Sequence, residues 1–212
     1  MQLHPDLSFC RIEDRFIFLD LARDRYFSLG GDLARLFAAS IDGEADPRNV
    51  ARLVDHGVLV SADGQPLEPC PDAVPRQSIL DVPASPPPIA RVAALAWAFA
   101  RMRAALRRHG MARPARALEA ARQKSLPALD DMGLVQMAMA YDRLSVLRGA
   151  HDLCLPHAMA LTLHLVRKGY AAQVVFGVQL RPFSAHCWVE CGDRLVNDRF
   201  DRVRLYTPIR RL

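Results

Sequence analysis

A chain of 212 residues that is 51% hydrophobic has apolar material for one large or two small globular cores, and it lacks any run of about 18 uncharged apolar residues that would span a bilayer. The formal charge of +5 is unevenly spread, since residues 1–80 hold 8 Arg against 13 Asp plus Glu and residues 81–212 hold 20 Lys plus Arg against 10. Halves of opposite sign argue for two domains, and an acidic first half argues against nucleic-acid binding there, because Lys and Arg neutralising phosphates supply most non-specific affinity.

In the first half, Ser8-Phe9-Cys10-Arg11-Ile12, Phe16-Ile17-Phe18-Leu19-Asp20 and Arg25-Tyr26-Phe27-Ser28-Leu29 alternate with period two around the charged turns Glu13-Asp14-Arg15 and Arg23-Asp24. The pattern predicts a three-stranded meander. Gly30-Gly31-Asp32 then reads as a turn and an N-cap for a helix whose apolar residues Leu33, Leu36, Phe37 and Ile41 share one face, stopped by Asp42-Gly43. Asp46-Pro47 opens a second short helix through Val50, Leu53 and Val54, and Val58-Leu59-Val60 is a candidate closing strand. Residues 1–65 are therefore expected to form one domain. Residues 66–88 carry eight of the fifteen prolines, a density that disfavours helix and ladder alike and predicts a stiff linker.

Beyond the linker, residues 89–212 form the expected second domain. Val92, Leu95, Phe99, Met102 and Leu106 line one face of a long, arginine-rich helix ending at Gly110, followed by helices around Pro114–Lys124 and Asp131–Leu147. Cys154 to Lys168 is apolar nearly all round and predicts a buried central helix. Gln173–Leu180, His186–Cys191 and Arg194–Asn197 then read as strands, with a tight turn at Gly192-Asp193. Helices followed by an antiparallel sheet make the fold class α+β.

Five cysteines without a CxxC pair fit a reducing compartment better than a disulfide framework. With no basic stretch and apolar run at the beginning of the sequence, a cytoplasmic location is expected. Cys154 lies at the start of the buried helix, where unpaired N–H groups and the helix dipole lower a thiol's pKa and favour the nucleophilic thiolate. His186 follows on a strand that points it to the same face as Trp188 and Glu190. Asp198 lies just past the next strand, where a carboxylate can orient the imidazole, with Asn197 and Asp201 as rivals for that role. Asp152 is a candidate helix cap. Metal binding is the competing chemistry, through His151, Cys154, His157, His164 and His186, but the spacings are poor: Cys187 and Cys191 lie about 13 Å apart along one strand. No metal is expected.

These residues resemble the B proteins of lasso-peptide biosynthesis, leader peptidases whose catalytic half is a transglutaminase-like cysteine protease. The resemblance is carried by Cys154-Leu155 opening an apolar helix, by Phe176-Gly177-Val178, by Pro182-Phe183-Ser184-Ala185-His186-Cys187-Trp188-Val189-Glu190 and by Val196-Asn197-Asp198. It implies a papain- or transglutaminase-like second domain in which Cys154 is the nucleophile, His186 its base and Asp198 the orienter. Where relatives are expected to hold a small apolar residue, this chain has Cys187, expected to face away from the site. His157 stands where a basic residue is expected. The first half resembles the same family's leader-recognition element, a small winged-helix-like domain whose middle helix is short or missing here. In that family an extended leader pairs with the third strand and lies against the last helix, which maps to Arg25, Tyr26, Phe27 and Leu29 and to Val50, Leu53 and Val54. The implied partners are a lasso precursor peptide and an asparagine-synthetase-like, ATP-dependent cyclase. The chain has no GxxxxGK[ST] loop, so any nucleotide is assigned to that cyclase and no cofactor is expected on this chain. Alternatives are a non-catalytic precursor-binding adaptor and a transglutaminase or acyltransferase using the same thioester chemistry.

Overall fold

The computed structural model describes residues 1–61, 64, 66–83, 85–123, 131–146 and 153–212, with the side chains of 145 and 146 excepted. It divides into two compact units, Met1–Asp72 with Thr207–Arg210, and Ala73–Tyr206 with Arg211–Leu212. Each mixes helices with sheet. Among the described residues no helix is long and apolar enough to cross a membrane.

In the first unit, β1 (Gln2–Leu3) is followed by β2 (Leu7–Ile12), β3 (Arg15–Asp20) and β4 (Arg25–Ser28), then α1 (Gly31–Ile41), α2 (Pro47–Asp55) and β5 (Leu59–Val60). The predicted meander is present, ordered β2-β3-β4 with Phe9 opposite Phe18 and Phe18 opposite Phe27. Period-two alternation sends Phe9, Phe16 and Phe18 to one side, where they meet Phe37 of α1 at centroid distances of 5.0–5.1 Å. Asp20 ends β3 and makes the next turn, accepting from the Arg23 backbone N–H at 3.0 Å and pairing with the Arg23 and Arg25 guanidiniums.

The N-terminus of α1 differs from expectation. The helix starts at Gly31 with Gly30 in the cap position and no side-chain cap, and Asp32 pairs with Arg35 within the first turn instead. At α2 the predicted cap is in place: Asp46 accepts from the Arg48 N–H at 2.7 Å, ahead of Pro47. The predicted closing strand β5 pairs antiparallel with β1, whose two residues carry no alternation from which to read a strand.

The second unit begins inside the proline-rich stretch. Gln77–Ser78 is a strand, β6, running into a single 3-10 turn at Ile79–Asp81, and Ile79 is fully buried. The stretch 66–88 is thus not a spacer over its whole length. The four prolines at 66, 69, 71 and 75 and the four from 83 to 88 leave between them a proline-free segment that can donate to a ladder.

The helices are α3 (Ile89–His109), α4 (Ala112–Arg122), α5 (Asp131–Val146) and α6 (Cys154–Arg167). The predicted ends at Lys124 and Leu147 lie outside the described residues, as do Asp152 and His151. Leu95, Phe99 and Met102 are the buried residues of α3, as its three-four spacing predicts. α6 is buried along nearly its whole length and packs against α3, α4 and the sheet.

That sheet is built on β7 (Ala172–Leu180) and β8 (Phe183–Cys191), paired antiparallel from Ala172↔Cys191 to Leu180↔Phe183. β9 (Arg194–Leu195) continues it, and β6 joins β9 in parallel through Gln77↔Arg194 and Ser78↔Leu195. On the other side, Leu212 exchanges backbone hydrogen bonds of 2.8 and 2.9 Å with Val174. After β9 comes a one-turn helix, α7 (Phe200–Val203). The expected third strand is shorter than Arg194–Asn197, because Asn197 leaves the ladder to use its side chain as described below.

Candidate active site

The buried faces of α6 hold its first residue, Cys154, against the sheet. Leu153 occupies the cap position and makes no side-chain capping hydrogen bond. The first N–H groups of a helix lack intrahelical acceptors, and the positive end of its dipole favours a thiolate at this position. Pro156 fits this first turn, where its missing N–H has no acceptor to lose.

His186 is brought to the same place by β8. It is 6% exposed, and its Nε2–H donates to Asp198 Oδ2 at 2.5 Å, which leaves Nδ1 for the Cys154 sulfur. Asp198 is held from two further sides: its Oδ1 accepts from the Arg199 N–H at 2.9 Å, and its carbonyl accepts from Ser78 Oγ at 2.7 Å. Its rivals are engaged elsewhere. Asn197 Oδ1 accepts from the Val189 N–H at 2.7 Å and so pins the loop to the edge of β8, while Asp201 is solvent-exposed and pairs with Arg204. The structure thus brings Cys154, His186 and Asp198 into one cluster from three different elements.

The electrostatics of the cluster set Cys154 apart. Its pKa is lowered to about 4, first by a hydrogen bond from the Cys187 thiol, then by the hydrogen bond and charge of His186 and by the Cys187 backbone N–H, all against the opposing effect of burial. Burial works to lower His186, but hydrogen bonds to Asp198 and Cys154 outweigh it and raise the imidazole above its ordinary value. Both shifts, the thiol's downward and the imidazole's upward, favour a thiolate–imidazolium pair. Other thiols move the opposite way: burial pushes Cys10 up to about 12 and raises Cys191, and the hydrogen bond to Cys154 together with burial raises Cys187.

Cys187 corrects the expectation that it faces away from the site. Successive N–H groups of a strand point to its two edges alternately, and the N–H of Cys187, like that of Val189, points to the edge of β8 away from β7. At that height β9 has already ended, so the edge is open. The Cys187 N–H hydrogen-bonds the Cys154 sulfur, which the Cys187 and His186 side chains also reach. Alternation along one strand carries no information about a sulfur brought to it by another element.

The cluster opens into a cavity of about 90 Å³ lined by Tyr141, Cys154, His157, His186 and Cys187 among others. His157 is buried, with its ring 4.3 Å from that of Phe99. Behind His186, Trp188 stacks at 6.1 Å and is anchored by its Nε1–H, which donates to Glu190 Oε1 at 2.9 Å. Glu190, itself 2% exposed, also accepts from Gln173 at 3.1 Å and pairs with Arg211. A buried carboxylate so surrounded fixes the ring on which the histidine rests. Among the described residues no group of three His, Cys, Asp or Glu could hold a metal ion.

Ser78 and Tyr141 are residues at the site that the sequence did not single out. Ser78 lies in a proline-rich stretch with no motif around it, and Tyr141 on a helix face where an aromatic residue reads as core.

The residues expected to bind a leader lie in the first unit. β4 is an edge strand, with Arg25 exposed and Tyr26 and Phe27 half-buried. Arg25 lies over the Phe27 ring at 5.3 Å, and Phe27 stacks on Phe18 at 5.0 Å. Leu29 and Val50 pack partly buried on the core, and Val54 is exposed. Leu53 is a correction: it is 0% exposed, because it occupies the inward face of α2, and it offers no surface to a peptide.

The model of the transglutaminase-like superfamily matches residues 89–211. No curated protein and no solved structure shows significant similarity to the chain.

Proposed function

The chain belongs to the transglutaminase-like superfamily, and from that premise we propose that it is a cysteine peptidase that removes the leader of a ribosomally made lasso-peptide precursor. The observation that carries the chemistry is the lowered Cys154 thiol beside a histidine whose far nitrogen is 2.5 Å from Asp198. The Cys154 thiolate attacks the scissile carbonyl, and the His186 imidazolium gives its proton to the departing amine. Water, deprotonated by the now neutral His186, hydrolyses the thioester and releases the leader as a free acid. Asp198 keeps the ring oriented and stabilises its charged form.

The likeness of residues 182–190 and of the first unit to lasso-peptide B proteins supports the substrate. The position of β4 at the end of its sheet among the described residues supports strand addition by an extended leader along Arg25–Leu29, with Val50 and Val54 beside it. Carrying both sites on one chain raises the local concentration of the scissile bond. The freed amine is then the substrate of a separate ATP-dependent, asparagine-synthetase-like cyclase, which closes the macrolactam. No nucleotide is assigned to this chain.

The test is to incubate the precursor with this protein, with and without the cyclase, and to weigh the products. Free leader acid from the wild type and none from Cys154→Ala is the expected result, whereas cleavage by Cys154→Ala refutes the peptidase. The superfamily match also favours a second reading, transfer of the acyl group to an amine. It is distinguished by mass, since hydrolysis adds a water and amine transfer does not.

A further inference from the structure

Tyr141 is carried by α5 and is 2% exposed. Its hydroxyl is one of two buried side-chain polar atoms without a hydrogen-bond partner among the described residues; the other, Ser8 Oγ, lies in the first unit. Buried hydroxyls are nearly always satisfied, because a donor cut off from water loses its hydrogen bonds without compensation, so an unsatisfied one calls for a reason. Tyr141 lines the same cavity as Cys154 and His186, and its ring is held edge-on to that of His157 at 6.3 Å. The unmade hydrogen bond thus belongs to the residue that shares the space in which a carbonyl would meet the thiolate.

We propose that the Tyr141 hydroxyl is a donor to the substrate's carbonyl oxygen, making in the transition state the hydrogen bond that it lacks in the resting protein. As the Cys154 sulfur bonds to the carbonyl carbon, the π pair moves to the oxygen, which becomes anionic and accepts from the Tyr141 O–H without taking its proton. When the oxyanion collapses, the C–N bond breaks and the amine leaves with the proton of His186, giving the thioester. Burial raises the Tyr141 pKa, so the phenol stays a donor wherever the ion pair exists. A donor waiting unpaired costs nothing to reorganise and binds the charged oxygen more strongly than the neutral one, which is the requirement for lowering a barrier. The neighbouring Asp142 and the Asp198 carboxylate bring negative charge to the same cavity and cannot serve in this way.

This role rests on the proposed carbonyl chemistry at Cys154, so the experiment separates the two. Tyr141→Phe removes only the oxygen. The probes are a dipeptide aldehyde, whose hemithioacetal with Cys154 carries an oxygen where the oxyanion forms, and iodoacetamide, which alkylates the thiolate with no such oxygen; Cys154→Ala is the blank. In Tyr141→Phe the aldehyde should bind at least about tenfold more weakly while alkylation keeps its rate, and with a cleavable substrate kcat should fall about 10²–10³-fold at little-changed KM. The melting temperature should not fall, because the substitution deletes an unsatisfied buried group. Equal aldehyde affinity in the two proteins overturns the role of Tyr141. Parallel loss of alkylation overturns it too, by showing a disturbed thiolate. A wild type that alkylates but forms no aldehyde adduct overturns the carbonyl chemistry and, with it, this proposal.

Discussion

Replacing Gly177 by Ala tests how the sheet sets the active site. Gly177 sits directly across from His186 in the β7–β8 ladder. A Cβ there would lie 2.6 Å from Trp188 Cζ3, 2.7 Å from Trp188 Cη2 and 2.9 Å from the Cβ of Tyr206, whereas carbon atoms prefer about 3.5–4.0 Å. The ring must therefore retreat by about 1 Å. It has no room to do so: Trp188 is 0% exposed and its Nε1–H is tied to Glu190 at 2.9 Å. Overpacking of this kind costs about 1–3 kcal/mol. Taking the upper end, because both obstacles are buried, the melting temperature should fall by roughly 6–12 °C at about 2–4 °C per kcal/mol for a chain of this size. His186 stacks on the same ring at 6.1 Å, so kcat/KM should fall as well. Calorimetry on the two proteins, with peptide cleavage assayed well below the lower transition, measures both effects. A melting temperature within about 2 °C of wild type, with unchanged kcat/KM, would refute the reasoning. Combining Gly177→Ala with Trp188→Phe, which removes the two clashing ring atoms, should give a loss smaller than the sum of the single losses.

Cys187→Ala removes the hydrogen bond that contributes most to lowering the Cys154 thiol, so the midpoint of its alkylation by iodoacetamide should move upward from about pH 4; an unmoved midpoint refutes the contact. For wild type, kcat/KM should rise through about pH 4 as the Cys154 thiol loses its proton, and fall at a pH above the ordinary histidine value as His186 loses the proton it gives to the leaving amine. A profile whose lower limb is centred near 6.5 or whose upper limb is centred below it contradicts the ion pair. Asp198→Asn keeps the shape but removes the charge facing His186 and should lower kcat/KM by about 10²–10⁴-fold without loss of far-UV circular dichroism; full activity would dismiss Asp198 as the orienter.

Legibility in the sequence followed the range of the interactions. The strands of the first unit, the amphipathic α3 and the buried α6 could all be read, because period two and period 3.6 are properties of consecutive residues. So could the cap at Asp46, whose N–H donor lies two residues away. The candidate trio was legible for a related reason. Cys154 begins a helix, His186 shares a strand face with Trp188, and Asp198 follows a strand, each a local statement that becomes chemical once the elements stand in order.

Contacts between distant segments lay beyond that reading. Ser78 reaches the Asp198 carbonyl across 120 residues of chain, from a segment whose prolines predict a spacer. Leu53 and Val54 are neighbours on α2, yet only packing decided that the first is core and the second surface. Cys187 was expected to face away from the site, but its thiol hydrogen-bonds Cys154, a contact between elements that alternation along one strand does not report. By itself the sequence determined which residues could be a nucleophile, a base and an orienter, because side-chain chemistry and backbone periodicity are local. Only the tertiary structure decided which polar groups are left unpaired among them, Tyr141 included, because satisfaction of a buried hydrogen bond depends on every segment that packs around it.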